Sequence, residues 1–572
     1  MTMRIFLFCL LVLCQFNIKV CSQNQSERNI PLPSQAQLEW QKKERIMFVH
    51  FGPAAFQGRE YDNWSSDIRQ MYLSKLNTDQ WCQVAKSWGA KMIIFVAKHC
   101  GGFCWWQTDT SDYGVKAIPW KHGKGDLMKE ISTSCRKYGL DLGVYLYPGD
   151  EHWGAGIGSG GKTQDPAKQE AYNKVYRKQL EELLSRYGSI KEVWFDGSCH
   201  IDVKDILDKY APHAVYFQGM NATLRWVGNE DGFAPDPNWY TIKKKDMDTG
   251  VATALHSDKN GDAYAPVEVD VPFLNNGGHK WFWAPRTDSL LMTRRQLMDI
   301  YCNSVGRGSV LLLNSSPDTT GLIPSSHVAI YKDFGETIHR YFGKPLARTA
   351  TQSSIAILKF KKAVHVNYVI IQEDLSKGQR ILSYQVEGRQ GNGSWKVITR
   401  GYSVGNKKID WLEDHLWNEI RLKVLDSKAV PQITNFSAFY VPERRFRDKG
   451  AKGGEQQIGY WQSDTYSATS SKQISLDLSP YIKGIGQYEV TFQTLGYDYA
   501  DNRPSGLEFT DINLKMYGQN MNSSVEHKPD SNMFRITRSQ QTLDEYPTVL
   551  TMSVKSKPCK TYGVIKIRKV VY

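Results

Sequence analysis

A chain of 572 residues is too long for one hydrophobic core and divides into about three domains. Its 41% apolar and 12% aromatic content is globular, and 17 tryptophans fit either ordinary cores or surfaces on which sugar rings pack. The net charge of +13 is modest for this length, and no Lys/Arg block interleaves with aromatics. That excludes a nucleic-acid-binding chain and leaves at most a weak attraction to anionic glycans or mucins.

The N-terminus carries a basic Arg4, an apolar run from Ile5 to Phe16, and Val20-Cys21-Ser22 as a cleavage site before Gln23. This pattern predicts a signal peptide over residues 1–22, too short for a membrane span, and hence a secreted or periplasmic protein. No other run is long enough to cross a bilayer. Of ten cysteines, Cys9, Cys14 and Cys21 leave with that segment. The rest (Cys82, Cys100, Cys104, Cys135, Cys199, Cys302 and Cys559) are odd in number and lie mostly in apolar segments, which reads as buried thiols rather than a disulfide framework. Asn63-Trp64-Ser65, Asn221-Ala222-Thr223 and Asn435-Phe436-Ser437 are glycosylation sequons that matter only in a eukaryotic host.

Between residues 35 and 345, strand-like runs alternate with helical ones. Strands are expected at Ile46 to His50, Lys91 to His99, Leu142 to Tyr147, Glu192 to Asp196, Ala214 to Gln218, Leu224 to Val227 and Val310 to Asn314. Helices are expected at Thr78 to Trp88, Asp126 to Tyr138, Gln169 to Tyr187, Asp202 to Tyr210 and Thr293 to Val305, with Gly139 and Gly188 as stops. Repeated strand–helix units of this kind predict an α/β fold, a (β/α)8 barrel, and no glycine-rich phosphate loop opens the first helix as a doubly wound sheet would require. His50, His99, Asp196, Gln218 and Asn314 each close a predicted strand, so the barrel gathers them on one rim. Over residues 350–443 the pattern changes to period-two runs with turns, a β-sandwich. A basic, glycine-containing linker (Arg444 to Gly454) leads to a second β-rich module over 455–572.

The stretch Lys191-Glu192-Val193-Trp194-Phe195-Asp196-Gly197 organises the rest. Burial of Val193 and Phe195 fixes the strand, and Asp196 is then held at a set height beside Trp194 as a candidate nucleophile. An Asp capping the next helix is the alternative. Around the same rim lie HFGP (His50 to Pro53), AKHCGGFCWW (Ala97 to Trp106), WFDG (Trp194 to Gly197), RWVGNE (Arg225 to Glu230), WFWAP (Trp281 to Pro285) and SVGRGSVLLLN (Ser304 to Asn314). In this order they resemble glycoside hydrolase family 29, the retaining α-L-fucosidases, most closely the branch acting on α-1,3/1,4-linked fucose.

The resemblance implies a hydrolase of fucosylated glycans needing no cofactor or metal, with Asp196 as nucleophile and an acid/base about 5–5.5 Å away. Glu230 of RWVGNE matches that branch's acid/base, and Glu268 in PVEVDV is its rival. The same likeness implies His50 and His99 as partners of sugar hydroxyls and Trp194 and Tyr145 as ring walls. It gives Arg225 a hydroxyl or the acid/base to orient, and makes Glu60 the Glu of an early Glu-Trp pair in which Tyr61 replaces Trp. The chain departs from the family at Lys98-His99-Cys100-Gly101-Gly102, where the pattern is K-H-H-D-G, so at least one sugar contact is absent. From Ile357 the second domain resembles a discoidin-like (factor 5/8 C-type) module through Gln372-Glu373-Asp374, Gly378-Gln379 and Gly393-Ser394-Trp395. Two other readings stay open: a glycan-binding relative without turnover, and a metal-dependent hydrolase using His99, Cys100, Asp196 and His200.

Overall fold

The computed structural model describes residues 30–442 and separate segments between 456 and 570. The expected signal peptide, the linker at Arg444 to Gly454 and Cys559 lie outside the described residues.

The first domain is a barrel of parallel strands: β1 (Arg45–Val49), β2 (Met92–Lys98), β3 (Asp141–Leu146), β4 (Ile190–Trp194), β5 (Val215–Phe217), β6 (Arg225–Trp226), β7 (Val267–Val271) and β8 (Val310–Ser315). They pair in the order β5-β4-β3-β2-β1-β8-β7-β6, and a parallel bridge between Phe217 and Leu224 closes the ring. Side chains alternate across each strand. Met47, Val49, Ile93, Phe95, Val193 and Phe195 belong to the core beneath the helices. Ile46, Phe48, Ile94, Tyr145, Trp194 and Phe217 fill the barrel interior.

The helices form where caps and apolar spacing agree. α2 (Thr78–Ser87) starts at Asn77, whose side chain accepts from the Asp79 and Gln80 N–H groups. α3 (Leu127–Tyr138) starts at Asp126 and stops at Gly139, which takes the left-handed conformation. α4 (Gln169–Arg186), α5 (Lys204–Tyr210) and α6 (Arg294–Asn303) follow the expected pattern. Sequence periodicity missed several elements, three of which shape the barrel. α1 (Gln35–Gln41) brings Trp40 into the interior cluster. α7 (Ser325–Phe342) packs Tyr331 and Phe334 on the outer core. β7 reads Val-Glu-Val-Asp-Val, with valines facing the helices and Glu268 and Asp270 buried.

The second domain is a six-stranded antiparallel sheet in which Ile355–Glu373 and Lys408–Ser427 are long paired strands with register shifts. Both halves of the first of these strands, through Leu358 and Val369, share one core with Tyr384, Trp417 and Phe436, so the sheet folds over on itself as a sandwich. The third domain sets a five-stranded against a four-stranded sheet around Val490, Phe534, Leu550 and Ile565. Cys82, Cys100, Cys104, Cys135, Cys199 and Cys302 are free thiols. No helix among the described residues is long and apolar enough to cross a membrane.

Ile94 is fully buried inside the barrel. Ile94→Ala should lower stability by about 2–5 kcal/mol through lost contacts and the cavity left behind, read as a lower urea midpoint at unchanged slope.

Candidate active site

β4 ends at Trp194, but the Phe195 N–H still donates to Phe217 O at 3.0 Å, so the backbone stays on the ladder up to Asp196. Gly197 and Ser198 then turn with φ of 70° and 73°, and the Ser198 N–H donates to Gln218 Oε1 at 3.0 Å. Tyr145 OH donates to Asp196 Oδ2 at 2.9 Å. Its ring stacks on Trp194 at 5.6 Å, and Trp194 stacks in turn on Phe217 at 3.8 Å. Burial under these rings pushes the Asp196 carboxyl up to about 6. The hydrogen bonds from Tyr145 and the Gly197 backbone oppose that rise, and the charge of Glu230 adds to it.

Glu230 reaches the same mouth from the loop after β6. Its Oε2 is 2.6 Å from His279 Nε2 and accepts from Trp281 Nε1 at 3.2 Å. Burial disfavours the His279 imidazolium, yet the Glu230 hydrogen bond and charge outweigh it and hold His279 above its ordinary value. Glu60 Oε2 accepts the Trp281 N–H at 2.8 Å, and its Oε1 lies 3.6 Å from Lys280 Nζ, so it secures the loop that holds Glu230. Burial raises the Glu60 carboxyl.

Asn314 Nδ2 donates to Trp281 O at 2.7 Å and to Ser316 Oγ at 3.1 Å, which fixes its amide and turns Oδ1 toward His50 Nδ1 at 2.8 Å. His50 therefore donates through Nδ1 and keeps Nε2 as an acceptor. Burial lowers His50 to about 3 and His99 to about 4, so both are neutral. His99 stacks between Tyr145 at 5.9 Å and Tyr61 at 6.0 Å, and Tyr61 is 50% exposed at the pocket edge.

The structure thus assembles His50, Glu60, His99, Tyr145, Trp194, Asp196 and Glu230 around one mouth. Two expectations need correction. Arg225 is fully buried and donates to Ala265 O, Thr253 O, Ser257 Oγ and Trp239 O, so its guanidinium braces the 239–265 segment instead of meeting a hydroxyl. Glu268 is also fully buried, below the rim, with Trp194 Nε1 donating to its Oε2 at 2.8 Å. Its neighbour Glu192 accepts from Trp40 Nε1 at 2.7 Å. Burial raises both carboxyls, and the charge of Glu192 raises Glu268 further; enclosed below the rim, Glu268 does not reach the pocket.

The departure at Cys100 and Gly101 has a spatial explanation. A side chain on Gly101 would meet Asp62 Cβ at 2.6 Å, so Asp62 occupies that space from another loop. Asp62 accepts from Tyr113 OH at 2.6 Å and Gln57 Nε2 at 2.7 Å. Cys100 Sγ lies 3.3 Å from His99 Nδ1, and burial pushes its thiol up to about 12. WFWAP belongs to the family-like pattern, but the roles of Trp281 and His279 are not legible in the sequence, because that segment has no helical or strand period to place it. The aromatic run beside Gly277-Gly278 was the available signal.

Residues 20–342 match the family model described as alpha-L-fucosidase. The chain is 32% identical to Alpha-L-fucosidase 1 of Arabidopsis thaliana, over 66% of this chain and 81% of that one. A crystal structure titled a putative alpha-L-fucosidase, from Bacteroides thetaiotaomicron, superposes with a TM-score of 0.67 at 35% identity, covering 72% of this chain and 100% of that one. A Ruminococcus gnavus GH29 fucosidase in complex with fucose gives a TM-score of 0.63 at 26% identity, covering 72% and 95%.

Carboxyl-carbon NMR of the isolated protein should show Asp196 titrating near pH 6, and Glu230→Gln should lower that midpoint by removing a neighbouring negative charge. Glu268→Gln should leave stability nearly unchanged, since an amide still accepts the Trp194 N–H. Glu268→Leu should cost about 1–3 kcal/mol by leaving that buried donor unpaired, measured as a lower urea midpoint.

Proposed function

Because this chain belongs to the α-L-fucosidase family of glycoside hydrolases, we propose that it removes terminal α-1,3/1,4-linked fucose from glycans by double displacement with retention. The observation that carries the reading is the convergence of Asp196 and Glu230 on one rim, near enough that the charge of one shifts the titration of the other. Glu230 protonates the departing glycosidic oxygen while an Asp196 oxygen attacks the anomeric carbon, and the bond electrons leave with the aglycone. Water, deprotonated by Glu230, then hydrolyses the fucosyl ester. Tyr145 OH on Asp196 Oδ2 and the Trp194 wall orient the nucleophile. Neutral His50 and His99 exchange hydrogen bonds with sugar hydroxyls without adding charge. Tyr61 and the Cys100-Gly101 departure set which fucosylated branch is accepted.

The domains are read as 35–345, 350–443 and 455–572, with signal peptide 1–22 directing the protein out of the cytosol. The second is read as discoidin-like. Its turn is built on Glu373, whose carboxylate accepts the Arg380, Ile381 and Gly405 N–H groups.

Asp196→Ala should abolish hydrolysis of an aryl α-L-fucoside, with azide restoring turnover as a fucosyl azide detected by NMR. Glu230→Ala should retain activity on 2,4-dinitrophenyl fucoside while losing about 10²–10⁴-fold on natural linkages, which need a proton. A panel of α-1,2, α-1,3, α-1,4 and α-1,6 fucosides tests the linkage. Release from the α-1,2 or α-1,6 members alone would refute it.

A further inference from the structure

We infer that the second domain positions Glu230 by clamping the loop that carries it. This rests on the reading of Glu230 as acid/base and gives the attached β-module a catalytic consequence.

The loop over residues 227–240 contains no helix or strand, and irregular segments of that length keep one shape only when their backbone is tied down. The barrel holds part of it, with Asn238 Nδ2 donating to Arg307 O at 2.8 Å and Ser309 Oγ at 3.0 Å and Tyr240 OH donating to Gly308 O at 2.6 Å, and the second domain adds ties over the same stretch, 236–240. Gln379 Nε2 donates to Asn238 O at 3.1 Å, while its Oε1 accepts the Tyr240 N–H at 3.0 Å, so one buried amide serves as a strand partner for the loop. Ser403 Oγ accepts the Asn238 N–H at 3.0 Å. The Asn406 N–H donates to Tyr240 OH at 2.9 Å, and a side chain on Gly405 would strike that hydroxyl at 2.4 Å, so the close approach needs glycine. Lys408 Nζ, itself buried, donates to Asp236 Oδ2 at 2.6 Å, and the attraction overcomes burial to hold Asp236 below the ordinary carboxylate range.

This anchored stretch is rigidly coupled to the pocket. Asn229 Oδ1 accepts the Asp231 N–H at 3.1 Å and its Nδ2 donates to Phe233 O at 2.9 Å, tying residues 229–233 into a compact turn with Glu230 inside it. The Ala234 N–H donates to Asn303 O at 2.9 Å and Ala234 O accepts from Arg307, whose own carbonyl accepts from Asn238 Nδ2 at 2.8 Å, so Arg307 links the turn to the clamped stretch at 236–240. A displacement at Asn238 therefore moves the Glu230 carboxyl relative to Asp196, and misplacing a proton donor by about 1 Å costs up to about 10²-fold in rate.

The test compares leaving groups in the full-length enzyme. Gln379→Ala should lower kcat/KM on phenyl α-L-fucoside, which needs protonation, by about tenfold or more. On 2,4-dinitrophenyl α-L-fucoside with azide present, which needs neither the acid nor the base, it should stay within about twofold. Ser403→Ala, which removes a single bond, should shift the same ratio in the same direction by less and serves if Gln379→Ala does not fold. Equal losses on both substrates, or no loss on either, would overturn the clamp while Glu230→Ala still shows the leaving-group signature. If Glu230→Ala lacks that signature, the acid/base reading falls and the clamp falls with it.

Discussion

A carboxylate drawn out of water by a stack of aromatic rings is the constraint on which this structure turns. Left alone, burial among Tyr145, Trp194 and their neighbours would protonate Asp196. The Tyr145 hydroxyl and the Gly197 backbone N–H return part of the lost solvation, and the balance leaves a group that titrates near 6, ionised at neutral pH and thinly solvated. The stack also fixes direction. Tyr145 rests on Trp194, Trp194 rests on Phe217, and both Trp194 and Phe217 end strands paired in register, so the geometry at Asp196 is inherited from the barrel ladder.

The barrel interior below the rim is less apolar than most. Three indole N–H groups end on buried carboxyls: Trp40 on Glu192, Trp194 on Glu268 and Trp226 on Asp270. Burial pushes all three acids up, which lowers the negative charge beneath Asp196. Gly143 makes room for this layer, since a side chain there would meet Ile94 at 2.8 Å and Glu192 O at 3.2 Å. Each indole is thereby held in one orientation by a directional bond, where an all-aliphatic interior would hold it by shape alone.

The domains are joined by polar contacts of the same exacting kind. Lys407 pairs with Glu44 at 2.5 Å, Asn406 Nδ2 donates to Gln41 O at 2.9 Å, and Tyr481 of the third domain donates to Asp236 O. Such contacts specify a relative placement more than they add stability, because each replaces bonds to water. Gln41 and Glu44 lie just before β1, at the N-terminal ends of the barrel strands, and Asp236 belongs to the 227–240 loop, so the modules grip both the base of the barrel and the segment that carries Glu230.

The sequence by itself determined the order of strands and helices and the gathering of polar residues at strand ends, because alternation and capping are local properties. His50, His99 and Asp196 were legible for that reason, and Tyr145 only through the family resemblance. β7 was not, since its Val-Glu-Val-Asp-Val inverts the usual rule by turning acids inward, and only indole partners from distant segments make that inversion tolerable. The choice between Glu230 and Glu268 likewise lay beyond local pattern. The two are chemically identical carboxylates, and only tertiary packing buries one beneath Trp194 and lifts the other, on a loop held by His279 and Trp281, to the open mouth.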